Sequence, residues 1–222
     1  MNILNVFSID FWISLLYCLP GILIGLSFHE FAHAYAAHKM GDDTALSLGR
    51  MTVNPLAHVD PIGMACMVLL GFGWAKPVPV NPNNFVGNRK KADIIVSLAG
   101  ITMNFAIALI TLFLVYFLVY IFKVTNDVVI NILQCIISVN VCLMIFNLIP
   151  VPPLDGSHVL EDLLIPKVGI EPFLFIRKNS LIILIIVLMI LNSTGLLDAA
   201  IFGVTNLLYK LFDLIFSAYI VI

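Results

Sequence analysis

The run from Phe11 to Met40, FWISLLYCLPGILIGLSFHEFAHAYAAHKM, decides how this chain is read. A transmembrane helix needs about 20 predominantly apolar residues. This run is longer than one span, with Pro20 and Gly21 placed to kink it. Its second half carries Ser27-Phe28-His29-Glu30-Phe31-Ala32-His33, three ionisable side chains within a turn and a half of an otherwise apolar helix, and Gly41-Asp42-Asp43 ends it. An ionisable group in the bilayer costs about 2.5–3.5 kcal/mol on insertion scales, so a function is its default explanation.

The rest of the chain agrees with a membrane setting. Of its 222 residues 61% are apolar and 11% charged, and the mean hydropathy is +1.09. A soluble domain carries roughly 25% charged residues, so water cannot be the solvent for most of this surface. The net charge of −2 and the lack of a basic stripe beyond Arg89-Lys90-Lys91 set nucleic acid aside as a partner. Cys18, Cys66, Cys135 and Cys142 are scattered through apolar runs without CxxC spacing and read as packing residues, not a disulfide framework. The first basic residue is Lys39, so no charged region precedes the first apolar run and the opening segment is expected to stay in the mature protein.

Further along, residues 42–58 are polar and loop-like, and Pro61 to Trp74 is a short apolar run interrupted by glycines, read as re-entrant or interfacial. Alternating valines and prolines over Ala75 to Pro82 exclude a helix and predict an extended edge segment. Helices are predicted over Ala92 to Phe122 and Val128 to Ile149. Another apolar stretch covers about Leu181 to Leu191, with a start as early as Phe173, and the last runs from about Leu196 to Ile222, weakened by Asp198, Lys210 and Asp213. The expectation is an all-α polytopic membrane protein with four to six transmembrane helices and a short β or extended element between the first two core helices. Residues 1–222 read as a single domain, with a core at about 11–165 and C-terminal membrane segments at about 172–222. Arg89, Lys90 and Lys91 assign the loop before Ala92 to the cytoplasm. The helix parity then puts the end of the first helix and the turn after Pro150 on that same side.

His29-Glu30-Phe31-Ala32-His33 is an HExxH motif. Residues four apart share one face of a helix, so two imidazoles can converge on one metal ion with Glu30 beside them, placed as general base on a water that the metal activates. A catalytic zinc usually takes a third protein ligand and keeps one position open. The best candidate is Asp155 in Asn147-Leu148-Ile149-Pro150-Val151-Pro152-Pro153-Leu154-Asp155-Gly156, where three prolines break a helix and turn the aspartate inward. His58, Asp60 and His158 are rivals for that place. His158 has a second reading, as a hydrogen-bond partner of a ligand.

These two motifs together, HExxH in an early membrane helix and NxxPxxxxDG at the end of a later one, resemble the site-2 protease family of intramembrane zinc metalloproteases, peptidase family M50. The resemblance covers about residues 20–165. Gly41-Asp42, Gly49-Arg50, Asn54-Pro55 with His58-Val59-Asp60-Pro61, and Lys76-Pro77-Val78-Pro79-Val80 look like one bacterial branch of it. It implies one zinc ion bound by His29, His33 and Asp155, Glu30 as general base, and Asn147 holding substrate or the developing oxyanion. Gly100 and Asn104 match a G-x-x-x-N element of the family, which often has proline where this chain has Ile101. The extended 76–82 stretch would receive an unwound substrate by strand addition.

The function expected is hydrolysis of peptide bonds within or near transmembrane segments of membrane proteins, with a transmembrane protein as substrate and the lipid bilayer as surroundings. In bacteria such proteases often cut membrane-anchored transcriptional regulators, a family expectation of regulated intramembrane proteolysis. The small size and the lack of targeting signals fit a bacterial or archaeal inner membrane, the bacterial one being the expectation, with the active site toward the cytoplasm. Two alternatives stay open: a zinc-binding membrane protein or metal transporter without protease activity, and a zinc enzyme acting on lipids or prenylated protein ends. His38 reads as an interfacial or packing residue, His58 and Asp60 as structural or ligand-supporting, and Arg50 with Asp42 and Asp43 as a solvated loop.

Overall fold

The computed structural model describes residues 8–70 and 73–220. Among them the elements are α1 (Ile9–Lys39), α2 (Thr44–Ser47), α3 (Pro61–Leu70), α4 (Arg89–Tyr120), α5 (Asp127–Asn147), α6 (Asp155–Val168), α7 (Glu171–Lys178), α8 (Ser180–Thr194) and α9 (Leu196–Ile220), with short 3₁₀ turns at Pro55–Ala57 and Pro82–Asn84. The long helices start where the sequence supplies caps: Ser8 Oγ accepts from the Phe11 N–H at 3.2 Å, Asn88 Oδ1 from Lys91 at 3.0 Å and Asn126 Oδ1 from Val129 at 3.1 Å. Each satisfies one of the amide donors that a helix N-terminus leaves open.

Among the described residues four helices are long and apolar enough to cross a membrane, Ile9–Lys39, Arg89–Tyr120, Asp127–Asn147 and Leu196–Phe216 within α9, or five if α7 and α8, bent by 81°, make one span. The range of four to six expected from hydropathy holds, and the chain is an all-α polytopic membrane protein. At ten residues α3 is about 15 Å long, half of a hydrocarbon core of about 30 Å, and it does not count as a span. Residues 71–72 of that run and the last two of the final segment, 221–222, lie outside the described residues. Of the predicted extended element, among the described residues, Val59 and Ala75 form one antiparallel bridge, and residues 76–81 continue as neither helix nor strand.

The helices α1, α4 and α5 pack against one another in all three pairings. The central one is α4, with 39% of its most apolar stretch buried against 17% for α1 and 22% for α5. In a bilayer, lipid tails solvate apolar side chains as well as another helix does, so packing depends on close backbone approach and internal hydrogen bonds. Gly21-Ile22-Leu23-Ile24-Gly25 supplies the first. A Cβ at Gly21 would stand 3.0 Å from Ile136 Cα, and one at Gly25 2.8 Å from Leu143 Cδ1. On the other side of α4, Leu208 of α9 closes a cluster with Ala108, Leu112, Val115, Ile137 and Val141. Asp213, which weakens the hydropathy signal of that segment, accepts the Tyr116 hydroxyl, so its polar group has a partner inside the bundle.

Candidate metal centre and active site

On α1, His29, Glu30 and His33 are all buried, on the face turned to α4 and to the start of α6. The Nε2 atoms of His29 and His33 stand 3.0 Å apart, and Asp155 Oδ2 lies 3.2 Å from each. Among the described residues this is the group of histidines, cysteines and carboxylates arranged to share one ion. Asp155 arrives there because Pro150, Pro152 and Pro153 end α5 and the chain restarts as α6 at Asp155 itself. Of the four candidates for a third ligand, the fold brings Asp155 to the histidines; His158 lines the same cavity without joining the cluster, and His58 and Asp60 lie outside it.

The outer faces of the imidazoles determine what the inner faces offer. Asn104, fully buried in α4, donates through Nδ2 to Gly25 O at 3.1 Å and to Asn140 Oδ1 at 3.0 Å. Its Oδ1 therefore accepts, and His29 Nδ1 donates to it at 2.6 Å. His33 Nδ1 donates to the Val96 carbonyl at 2.7 Å. With both protons held at Nδ1, each neutral imidazole presents an Nε2 lone pair to the same point. Two lone pairs and a buried carboxylate oxygen with no hydrogen-bond donor of its own repel one another unless a cation lies between them. Two nitrogens and one oxygen make a donor set suited to zinc with one position left open, so the residues present fit the ion.

Gly100 makes room for this arrangement. A Cβ there would sit 2.5 Å from His33 Nε2 and 2.6 Å from His29 Cε1, so the α4 backbone comes directly against both rings. The sequence reading found Gly100 and Asn104 but missed Asn140, which receives Asn104 and donates on to Ile136 O at 2.8 Å. The signal was available: a lone carboxamide inside an apolar span is a polar group that must find a partner.

Glu30 Oε2 accepts the Val78 N–H at 2.7 Å, which fixes one carboxylate oxygen, and Glu30 lines a cavity of about 580 Å³ together with His29, His33, Asn147, Asp155 and His158. Asn147 faces this cavity, and its Nδ2 donates to Leu143 O one turn back at 3.0 Å. The stretch from Trp74 to Pro82 also lines the cavity and is tied at several points. Lys76 N–H donates to His58 O at 2.7 Å, Arg50 Nη2 donates to the Lys76 and Pro77 carbonyls at 2.8 and 3.3 Å, and Asn81 N–H donates to Asp42 Oδ2 at 2.7 Å. Residues 77, 79 and 82 are prolines. Strand addition by a substrate is thus left mainly the Val80 N–H and free carbonyls on this stretch.

The expectation of a solvated loop for Arg50, Asp42 and Asp43 holds for Asp43 and is corrected for Asp42 and for Arg50, which is tied to the Lys76 and Pro77 carbonyls. Asp42 is fully buried and accepts from Thr44, Asn81 and Asn84. Burial pushes its carboxyl up, but the Thr44 hydroxyl, the Asn81 N–H and the Asn84 amide together hold it below the ordinary carboxylate range. Asp43 stays largely exposed and pairs with His38. His58 is buried, its Nε2 donating to Thr52 O at 2.7 Å. Asp60 Oδ1 caps α3 by accepting the N–H groups of Ile62 and Gly63 at 2.8 and 3.0 Å.

Comparison with known proteins agrees with this geometry. The family model described as "Peptidase family M50" matches residues 119–192, a stretch that includes Asn147 and Asp155. The chain is 40% identical over 159 residues to the "Putative zinc metalloprotease YwhC" of Bacillus subtilis, an alignment covering 68% of this chain and 71% of the relative. It is 28% identical over 201 residues to the "Putative zinc metalloprotease Rip2" of Mycobacterium tuberculosis, covering 88% of this chain and 73% of that one. The match to the protein of the same name from Mycolicibacterium smegmatis is 29% over 154 residues, covering 67% and 58%. No solved structure matches the chain. Helices long enough to span a bilayer, a buried cluster of two histidines and an aspartate, and these relatives place the chain in peptidase family M50, as an intramembrane zinc metalloprotease.

Proposed function

We propose that His29, His33 and Asp155 hold the zinc ion, that Glu30 is the general base, and that the chain cleaves membrane-spanning substrates close to the cytoplasmic face of a bacterial inner membrane. The observation that carries the reading is the convergence of two Nε2 lone pairs and the orphaned Asp155 Oδ2 beside a carboxylate that faces a cavity. Zinc bound there supplies a Lewis acid that polarises the scissile carbonyl and lowers the pKa of water to about 7.

The protein's own residues do the rest. Asn104 and the Val96 carbonyl hold the imidazoles in the tautomer that presents Nε2, as hydrogen-bond partners of metal-bound histidines generally do. Glu30 Oε1 accepts a proton from the attacking water as its oxygen bonds to the scissile carbon. Glu30 then passes that proton to the departing amide nitrogen, so that water and peptide give one carboxylic acid and one amine. The Val78 N–H keeps Oε2 in place during both transfers. Asn147, on the cavity wall, presents a carboxamide to the substrate backbone. Substrate has to unwind first, because a helical carbonyl is hydrogen-bonded within its own helix.

The orientation rests on Arg89, Lys90 and Lys91 at the start of α4, since basic residues favour the cytoplasmic side. We read residues 1–222 as one domain, its core at about 11–165 and its C-terminal membrane segments at about 172–222.

The test is the Glu30→Gln variant in proteoliposomes with a single-span test substrate that the wild-type protein cleaves. The variant should retain zinc and lose cleavage, while unchanged cleavage with zinc in place would sink the assignment.

A further inference from the structure

The cavity at the candidate active site has a charge bias that the zinc chemistry does not use. Beside Glu30 and Asp155 its lining includes a third carboxylate, Asp93, and among the described residues no lysine or arginine. Asp93 lies one turn into α4, against Asp162 of α6, whose Oδ2 is buried without a hydrogen-bond donor. Burial, followed by the charge of Asp93, pushes Asp162 up to about 6, with Lys90 and His158 acting the other way. The nearby Arg177 acts on both aspartates through its charge, but its Nε and Nη2 both donate to a third carboxylate, the buried Glu161. Lys90 and His158 are exposed. The Asp93–Asp162 pair is therefore left with more negative charge than its neighbours neutralise, and Asp93 presents that charge to the cavity.

The distance from the reacting centre follows from the helix. Gly100 abuts both imidazoles, and seven residues of α4 separate it from Asp93, about 10 Å of rise. An extended peptide advances about 3.3 Å per residue. We propose that Asp93 is a specificity-determining residue, selecting substrates with a lysine or arginine about three residues from the scissile bond. Such residues flank the cytoplasmic ends of membrane spans, which is where the proposed orientation presents the cavity. This inference rests on the protease reading above and adds to it a class of substrate.

The experiment uses a fluorescent single-span test peptide in two versions, with lysine or glutamate in its cytoplasmic flank. Binding is measured in detergent to zinc-loaded Glu30→Gln protein, alone and combined with Asp93→Asn or Asp93→Lys. The lysine version should bind about tenfold more tightly than the glutamate version. Asp93→Asn should bring the two together, and Asp93→Lys should reverse the order. Helical content and zinc per chain check that the variants fold, and Asp93→Asn carries the test if the reversal variant does not. An unchanged ratio across the three proteins, or no binding of the lysine version, overturns the inference. Cleavage of both versions by the wild-type protein then reports separately. Charge-dependent binding without any cleavage removes the protease reading and leaves the charge selection standing. Equal cleavage of both versions removes the selection and leaves the protease.

Discussion

Asn104 Oδ1 accepts the Nδ1 proton of His29 at 2.6 Å across 75 residues of sequence. That single contact decides which nitrogen of His29 faces the centre of the site. Its own orientation is set in turn by Gly25 O and Asn140 Oδ1, so the metal-facing geometry is anchored in the packing of α1, α4 and α5.

Removing that anchor should weaken the metal without unfolding the bundle. Partners that orient metal-bound histidines are typically worth about 10–100-fold in affinity. Asn104→Ala should lose zinc affinity in that range, measured by competition with a chromogenic chelator. Asn104→Asp, which keeps an acceptor for Nδ1, should lose less. Equal zinc affinity in wild type and Asn104→Ala would remove this role.

Gly100→Ala tests the close approach of α4. The added Cβ would meet both imidazoles at 2.5–2.7 Å, and overpacking typically costs about 1–3 kcal/mol. Zinc binding should weaken roughly ten- to hundredfold. Gly203→Ala, where a Cβ meets nothing within 4 Å, should leave zinc unchanged.

Val78→Pro deletes the N–H that holds Glu30 while keeping an extended backbone between Pro77 and Pro79. A hydrogen bond to a charged group is worth about 1.5–3 kcal/mol. Cleavage should fall roughly ten- to hundredfold with zinc stoichiometry intact. Loss of zinc together with activity would show that the stretch supports the metal rather than the base.

Asp42 ties the end of α1 to the extended stretch through Asn81 and Asn84. Asp42→Ala leaves those donors unpaired and should destabilise the fold by about 3 kcal/mol, read as a lowered melting temperature in detergent. The folded carboxyl lies below its unfolded value. Its contribution is thus full above the ordinary aspartate range near pH 3.9 and is lost as the pH falls through the lower folded value. The variant should show less acid sensitivity than the wild-type protein between those limits.

What the sequence determined by itself was everything that depends on local periodicity or on solvent. Apolar runs too long for water gave the membrane setting, and the i, i+4 spacing of His29 and His33 put two imidazoles on one face. The prolines after Asn147 marked the break where α6 begins. Pairings between distant segments were decided only by the tertiary structure. His58, Asp60, His158 and Asp155 are all polar residues near helix breaks, and nothing local separates a helix cap such as Asp60 from the carboxylate that joins His29 and His33, Asp155. Asp42 reads as solvated beside Gly41 because its partners Asn81 and Asn84 are some forty residues away. Asn140 was passed over for the same reason, its meaning lying in Asn104 on another helix. Composition and spacing report on the solvent and on one helix at a time. Which lone pair meets which proton depends on how the helices pack, and α1, α4 and α5 settle it by bringing glycine faces and buried carboxamides together.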